Sequence, residues 1–187
     1  MRLFAALPVV GPAQRELTGL LQTLRERDWP VRWIRAEGIH LTLKFFGPVP
    51  PDRILPIENA LSHAADGFGP IPLACSGLGS FPPGKRARVV WVGVEGASAL
   101  ELLQDRVERA CEAEGYPLEG RPFRPHITLG RVQEGRALPP EAFAGIASDL
   151  EVPFLADRMV LFESKPGPGG SVYRPHRTFA LSSCAAV

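Results

Sequence analysis

With 187 residues, 45% of them apolar and 22% charged, the chain is long enough to bury a substantial core and too apolar for a disordered segment. A formal net charge of +1 excludes an overall basic field that would draw in long nucleic acid, so contact with a polyanion is confined to a local patch or pocket. Cys75, Cys111 and Cys184 are scattered, odd in number and without a Cys-x-x-Cys spacing. That argues against a disulfide framework or a zinc knuckle, and points to the cytoplasm.

Leu3 to Leu7 reads as a buried strand closed by Pro8 and Gly11-Pro12. Pro8 and the polar run Gln14-Arg15-Glu16 that follows make a signal segment the weaker reading, and no apolar run approaches a membrane span. Pro12 suits a helix start, with Leu17, Leu20, Leu21 and Leu24 at helical spacing. Val31 to Ile34 is a short strand, and Ile39 to Phe46 a longer one stopped at Gly47-Pro48. Pro51 to Ala65 reads as a helix, Ile71 to Leu78 as a strand, and Phe81 to Arg86 as a loop. Arg88 to Val94 is β-branched and apolar, hence a central strand, and Ser98 caps a helix buried along Leu100, Leu103, Val107 and Ala110. Tyr116 to Pro125 is an extended, proline-broken approach. Leu138 to Ala147 reads as a short helix, followed by strands Val152 to Ser164 and Tyr173 to Leu181 around the Gly/Pro loop Lys165 to Gly170.

Two of these strands carry one motif: His40-Leu41-Thr42-Leu43 and His126-Ile127-Thr128-Leu129. Because alternate side chains of a strand point to opposite faces, each motif presents an imidazole and a hydroxyl together and buries two aliphatic residues behind them. A strand and a helix precede each motif at nearly the same spacing, which suggests two half-domains, approximately 1–87 and 88–187, related by a pseudo-twofold axis. Paired histidines near their ordinary pKa of about 6.5 can give and take protons in one reaction. The threonines can donate hydrogen bonds to phosphate oxygens. No acidic or thiol side chain stands at either motif in a ligating spacing, so a metal site is not expected.

The two motifs, together with Arg2-Leu3-Phe4-Ala5-Ala6-Leu7, Lys44-Phe45-Phe46-Gly47, Arg121-Pro122-Phe123-Arg124-Pro125, Gly130-Arg131 and a late Tyr173, make nearly the whole chain resemble the 2H phosphoesterases. Within them it resembles the RNA 2′,3′-cyclic phosphodiesterase branch, also called 2′-5′ RNA ligase. The resemblance implies a bilobal α+β fold with an antiparallel sheet and flanking helices in each lobe, one domain over 1–187, and an active-site cleft between the lobes. It implies metal-independent opening of an RNA 2′,3′-cyclic phosphate to a 2′-phosphate, together with ATP-independent 2′-5′ joining of tRNA halves. It assigns His40 as proton donor and His126 as proton acceptor, a polarity the residues alone leave open. Thr42 and Thr128 join them, and Arg131 and Tyr173 contact the substrate. Lys44, Phe45 and Arg124 are further substrate-contact candidates, against the plainer readings of solvated charges and a core aromatic. Phe46 and Phe123 read first as core, and His63 as a surface residue.

No cofactor, membrane or obligate protein partner is expected. Two other readings fit the same residues: a 2H enzyme for a small cyclic nucleotide or ADP-ribose cyclic phosphate, and a non-catalytic nucleotide- or RNA-binding module. A third run, His176-Arg177-Thr178-Phe179, fits the bare pattern but sets Arg177 where the motifs set an aliphatic residue. Burying an unpaired guanidinium is costly, so this strand is expected at an edge or facing outward.

Overall fold

A computed structural model describes residues 1–95, 98–139, 141–146, 150–167 and 170–182. Cys184 lies outside them. The strands are β1 (Arg2–Pro8), β2 (Val31–Trp33), β3 (His40–Pro48), β4 (Ile71–Phe81), β5 (Val89–Glu95), β6 (His126–Val132), β7 (Glu151–Ala156), β8 (Arg158–Gly167) and β9 (Gly170–Ala180). The helices are α1 (Gly11–Arg25), α2 (Ile54–Ala65) and α3 (Ser98–Ala113).

Local sequence explains the elements. In β1, Leu3 to Leu7 are all buried, as an apolar run without alternation requires of a strand covered on both faces. Helix α1 opens at Gly11-Pro12 and buries Ala13, Leu17, Leu21 and Leu24 at helical spacing. Helix α3 buries Leu100, Leu103, Val107 and Cys111, and also the charged Glu108. No described helix is long and apolar enough to cross a membrane.

All pairings in the nine-stranded sheet are antiparallel, in the order β7-β4-β5-β6-β3-β1-β8-β9, with β2 added against β6. The halves β3-β1-β8-β9 and β6-β5-β4-β7 meet at β3 and β6, where Leu41 pairs with Ile127. The spatial halves are therefore not the linear units 1–87 and 88–187. Strand β4 joins the half that carries β5 and β6, while the C-terminal hairpin β8–β9 crosses back to β1. One apolar core runs beneath both, containing Leu41 and Leu43 as well as Ile127 and Leu129.

Two expected elements differ. Residues 141–146 form successive turns rather than a helix, with Ala142, Ala144 and Ile146 each bonded three residues back and Gly145 in a left-handed conformation (φ 67°). Ala147, the expected helix end, lies outside the described residues. The expected strand from Val152 to Ser164 is two strands broken at Asp157, because the chain there passes from one edge of the sheet to the opposite half.

Each motif strand carries the same irregularity. On β3, Thr42 faces Ala6 and Lys44 faces Ala5, leaving Leu43 as the extra residue of a bulge. On β6, Thr128 faces Trp91 and Gly130 faces Val90, leaving Leu129 as the extra residue. After a bulge the alternation of faces reverses, and this decides which later side chains reach the site.

Candidate active site

Around the Leu41–Ile127 pair the antiparallel register puts His40 across from Thr128 and Thr42 across from His126. Leu41 and Ile127 point into the core, so all four polar side chains share the other face. The cleft over that face has a volume of about 1070 Å³, and His40, Thr42, Phe45, Thr128, Arg131 and Tyr173 line it together with Arg2 and Arg32. His126 is half-buried and is not among the residues lining this cleft, although it shares the strand face and contributes to lowering the His40 pKa.

Both histidines are fixed in the same way. His40 Nδ1 lies 2.7 Å from the Gly38 carbonyl oxygen, and His126 Nδ1 lies 2.7 Å from that of Arg124. A carbonyl only accepts, so each Nδ1 carries the hydrogen and donates it. Each Nε2 is thereby left for chemistry.

Their surroundings differ. The His40 ring packs against Phe4 (4.8 Å between centroids), Tyr173 (5.1 Å, edge-on) and Phe162 (6.0 Å). This enclosure lowers its pKa to about 4, chiefly by burial, against a raising contribution from the Gly38 hydrogen bond and a lowering one from His126. The expectation of a near-normal pKa at His40 is thus corrected: burial favours the neutral ring, with Nε2 unprotonated at neutral pH. His126 rests edge-on against Phe81 at 5.0 Å, and Phe81 packs on Trp91.

The other candidates divide according to the bulges. Strict alternation from Thr42 would carry Lys44 to the cleft, but the bulge at Leu43 sends it to the core face. There its Nζ bonds Glu108 Oε2 at 2.6 Å, with both side chains buried. Lys44 is not a substrate contact. The same shift brings Phe45 to the cleft wall, 52% exposed, with the Arg2 guanidinium 5.0 Å from its ring centre. On β6 the bulge at Leu129 has the matching effect, so Arg131 lines the cleft although simple alternation would turn it away.

Tyr173 lines the cleft and also holds His40; a Cβ on Gly38 would come within 3.3 Å of its ring. Arg124 contributes its carbonyl, while its exposed side chain lies outside the cleft lining. Phe46 and Phe123 pack on the core. Among the described residues no three His, Cys, Asp or Glu side chains cluster. Cys75 and Cys111 are buried with thiols pushed up to about 12, which makes them unfit as nucleophiles. Sequence reasoning missed Phe4, Phe81, Phe162, Arg2 and Arg32. Only Phe4 and Arg2 stood in a matching segment, and register across strands is what brings the rest in.

A curled antiparallel sheet that presents two His-x-Thr strands to one cleft is the architecture of the two-histidine phosphoesterases. The chain belongs to the 2′-5′ RNA ligase superfamily, whose family model matches residues 12–168. It is 30% identical over 183 residues to an RNA 2′,3′-cyclic phosphodiesterase of Methanothermobacter thermautotrophicus, covering 97% of this chain and 99% of that protein. It is 34% identical over 163 residues to a Geobacillus stearothermophilus protein of the same name. That match covers 86% of this chain and 51% of the relative, so the chain spans about half of that relative's length. The crystal structure of Escherichia coli LigT complexed with 3′-AMP is similar at a TM-score of 0.74 and 26% identity, covering 97% of this chain and 98% of that one.

Proposed function

We propose that the protein opens the 2′,3′-cyclic phosphate at the end of an RNA, without a metal, leaving a 2′-phosphomonoester and a 3′-hydroxyl. The observation that carries this reading is the common face of His40, Thr42, His126 and Thr128 about the Leu41–Ile127 pair. The relatives' names support it, and the 3′-AMP complex of LigT is in keeping with a ribonucleotide phosphate as ligand of this fold.

In the reaction, water attacks phosphorus as its proton passes to Nε2 of His126. The bond from phosphorus to the 3′-oxygen breaks, and Nε2 of protonated His40 delivers a proton to that oxygen. Thr42 and Thr128 donate hydrogen bonds to the non-bridging oxygens, and the Arg131 guanidinium offsets their charge. In this reading a phosphate anion beside His40 favours its imidazolium form and so opposes the lowering that burial causes. Tyr173 closes the site beside His40, and Phe45 offers a face to a base.

The residues act as one catalytic unit over 1–187. Replacing water by the 5′-hydroxyl of a second RNA gives a 2′-5′ linkage without ATP, a second reading favoured by the superfamily's description; tRNA halves are its proposed substrates. We assign the protein to the cytoplasm, consistent with the free thiols of Cys75 and Cys111.

The test is a short oligoribonucleotide ending in a 2′,3′-cyclic phosphate, assayed in excess EDTA with the product read by ³¹P NMR. A 2′-phosphomonoester is expected, at a higher kcat/KM than for a free 2′,3′-cyclic mononucleotide or an ADP-ribose cyclic phosphate. A 3′-phosphate product, or activity abolished by EDTA and restored by zinc or manganese, would overturn the reading. Tight binding without turnover would move the protein to the non-catalytic binding class.

A further inference from the structure

The approach to the first motif is fastened to the second motif's strand. Strand β2 pairs with β6 through Trp33 opposite Gly130, and the Ile34 N–H donates to the Leu129 carbonyl at 2.9 Å. Gly130 permits this approach, since a Cβ there would lie 2.5 Å from Val31 Cγ1.

The approach to the second motif has no such strand. Among the described residues β3 pairs with β1 and β6, and residues 116–125 contain no strand. Tyr116 and Phe123 pack on the core at either end, and between them Lys44 reaches the segment, following the bulge on β3 as Gly130 follows the bulge on β6. Its Nζ donates to the Pro117 carbonyl at 2.8 Å and to Glu108 Oε2 at 2.6 Å. The same carboxylate oxygen accepts the Glu119 N–H at 3.0 Å, and Oε1 accepts Gln104 Nε2 at 3.3 Å. Beyond Glu119 the chain runs through Pro122 to Arg124, whose carbonyl fixes the His126 tautomer, and Pro125, whose carbonyl accepts the Val94 N–H at 3.1 Å.

We propose that Lys44 and Glu108 are positioning residues for His126: the buried pair replaces a missing strand and holds residues 117–119, so that the Arg124 carbonyl meets Nδ1 of His126. Stability alone is a weak account of the pair, since two apolar residues of similar volume commonly serve as well. The lysine reaches a backbone carbonyl that an apolar pair would leave without this donor. The proposal rests on the ring-opening reading, in which His126 is the proton acceptor.

The test compares wild type with Lys44→Met/Glu108→Leu and with Lys44→Arg. In the double variant kcat on a cyclic-phosphate RNA is expected to fall about 10–100-fold with KM within twofold, as small displacements of a catalytic group do. The ¹⁵N resonances of His126 should move toward a mixture of tautomers while those of His40 stay in place, and Lys44→Arg should recover most of the loss. Wild-type kcat with unchanged His126 resonances in the double variant would overturn the proposal. So would failure of both variants to fold, which would assign the pair to stability. Absence of turnover in wild type would refute the ring-opening reading instead, and the His126 resonances would then decide the positioning role alone.

Discussion

Leu41 and Ile127 face each other across β3 and β6, 1% and 0% exposed, and the cleft straddles this one pair. It is the one described residue pairing directly between β3 and β6, and the β2–β6 pairing beside it ties the approach to His40 to the same strand. Ile127→Ala removes buried methyl groups where the surroundings cannot close in, so a loss of about 2–5 kcal/mol is expected in urea denaturation. Turnover should fall as well. A folded Ile127→Ala protein with wild-type kcat would show that the cleft does not depend on this pair.

His40→Ala and His126→Ala should each lose about 10²–10⁴-fold in kcat, with circular dichroism unchanged, since each removes one proton transfer. A phosphodiester with a 4-nitrophenolate leaving group separates the roles, because that group departs without a proton. If His40 is the acid, His40→Ala loses far less on this substrate than on RNA, whereas His126→Ala loses similarly on both. The reverse pattern would exchange the assignments.

The pKa of about 4 at His40 compares with about 6.5 for an unperturbed imidazole. Between these values the unfolded chain binds the proton more readily than the folded one. The contribution of neutral His40 to stability is therefore fully present above about pH 6.5 and is lost as pH falls to about 4, a span of roughly 3 kcal/mol at most. His40→Gln should flatten the dependence of unfolding free energy on pH in this window. Equal slopes for the two proteins would show that the ring is more solvated than its aromatic neighbours imply.

The sequence was informative where alternation held and misleading where it broke. His40, Thr42, His126 and Thr128 fall on one face because the four residues of each motif alternate regularly. The next residues could not be placed that way, since a bulge is a property of two strands together: Lys44 went to the core and Phe45 and Arg131 to the cleft. The two-half plan was visible in the strand, helix and motif spacing, but the crossing of β4 and of β8–β9 between halves has no local signature. Nor has the aromatic enclosure of His40, which gathers Phe4, Phe162 and Tyr173 from three strands.

Gly130 has no side chain because β2 lies against it; a Cβ would meet Val31 Cγ1 at 2.5 Å and Trp33 Cε3 at 2.8 Å. Neither atom ends a flexible side chain, so Gly130→Ala must push β2 away, at a cost of about 1–3 kcal/mol. Arg131 follows directly and lines the cleft, so a KM increase should accompany the lower Tm. A stabilised Gly130→Ala protein would contradict the close approach.

His176 and Thr178 repeat the bare pattern of the motifs without their setting. Strand β9 is the sheet edge, and His176 is the extra residue of a bulge, since Arg177 faces Leu161 and Pro175 faces Phe162. His176 Nε2 lies 3.0 Å from Glu58 Oε1 on α2, and Arg177 bonds the other oxygen of the same carboxylate. The guanidinium that could not be buried beside a catalytic pair is thus half-exposed and paired, as an edge strand allows. None of residues 176–178 lines the cleft. His176→Ala and Thr178→Ala should therefore keep wild-type kcat and KM on a cyclic-phosphate RNA. His176→Ala should change stability by no more than about 1 kcal/mol, the usual range for a partly exposed pair. Assaying both beside His40→Ala on one substrate decides the matter: if His176→Ala is as inactive as His40→Ala, the catalytic pair has been drawn on the wrong strands.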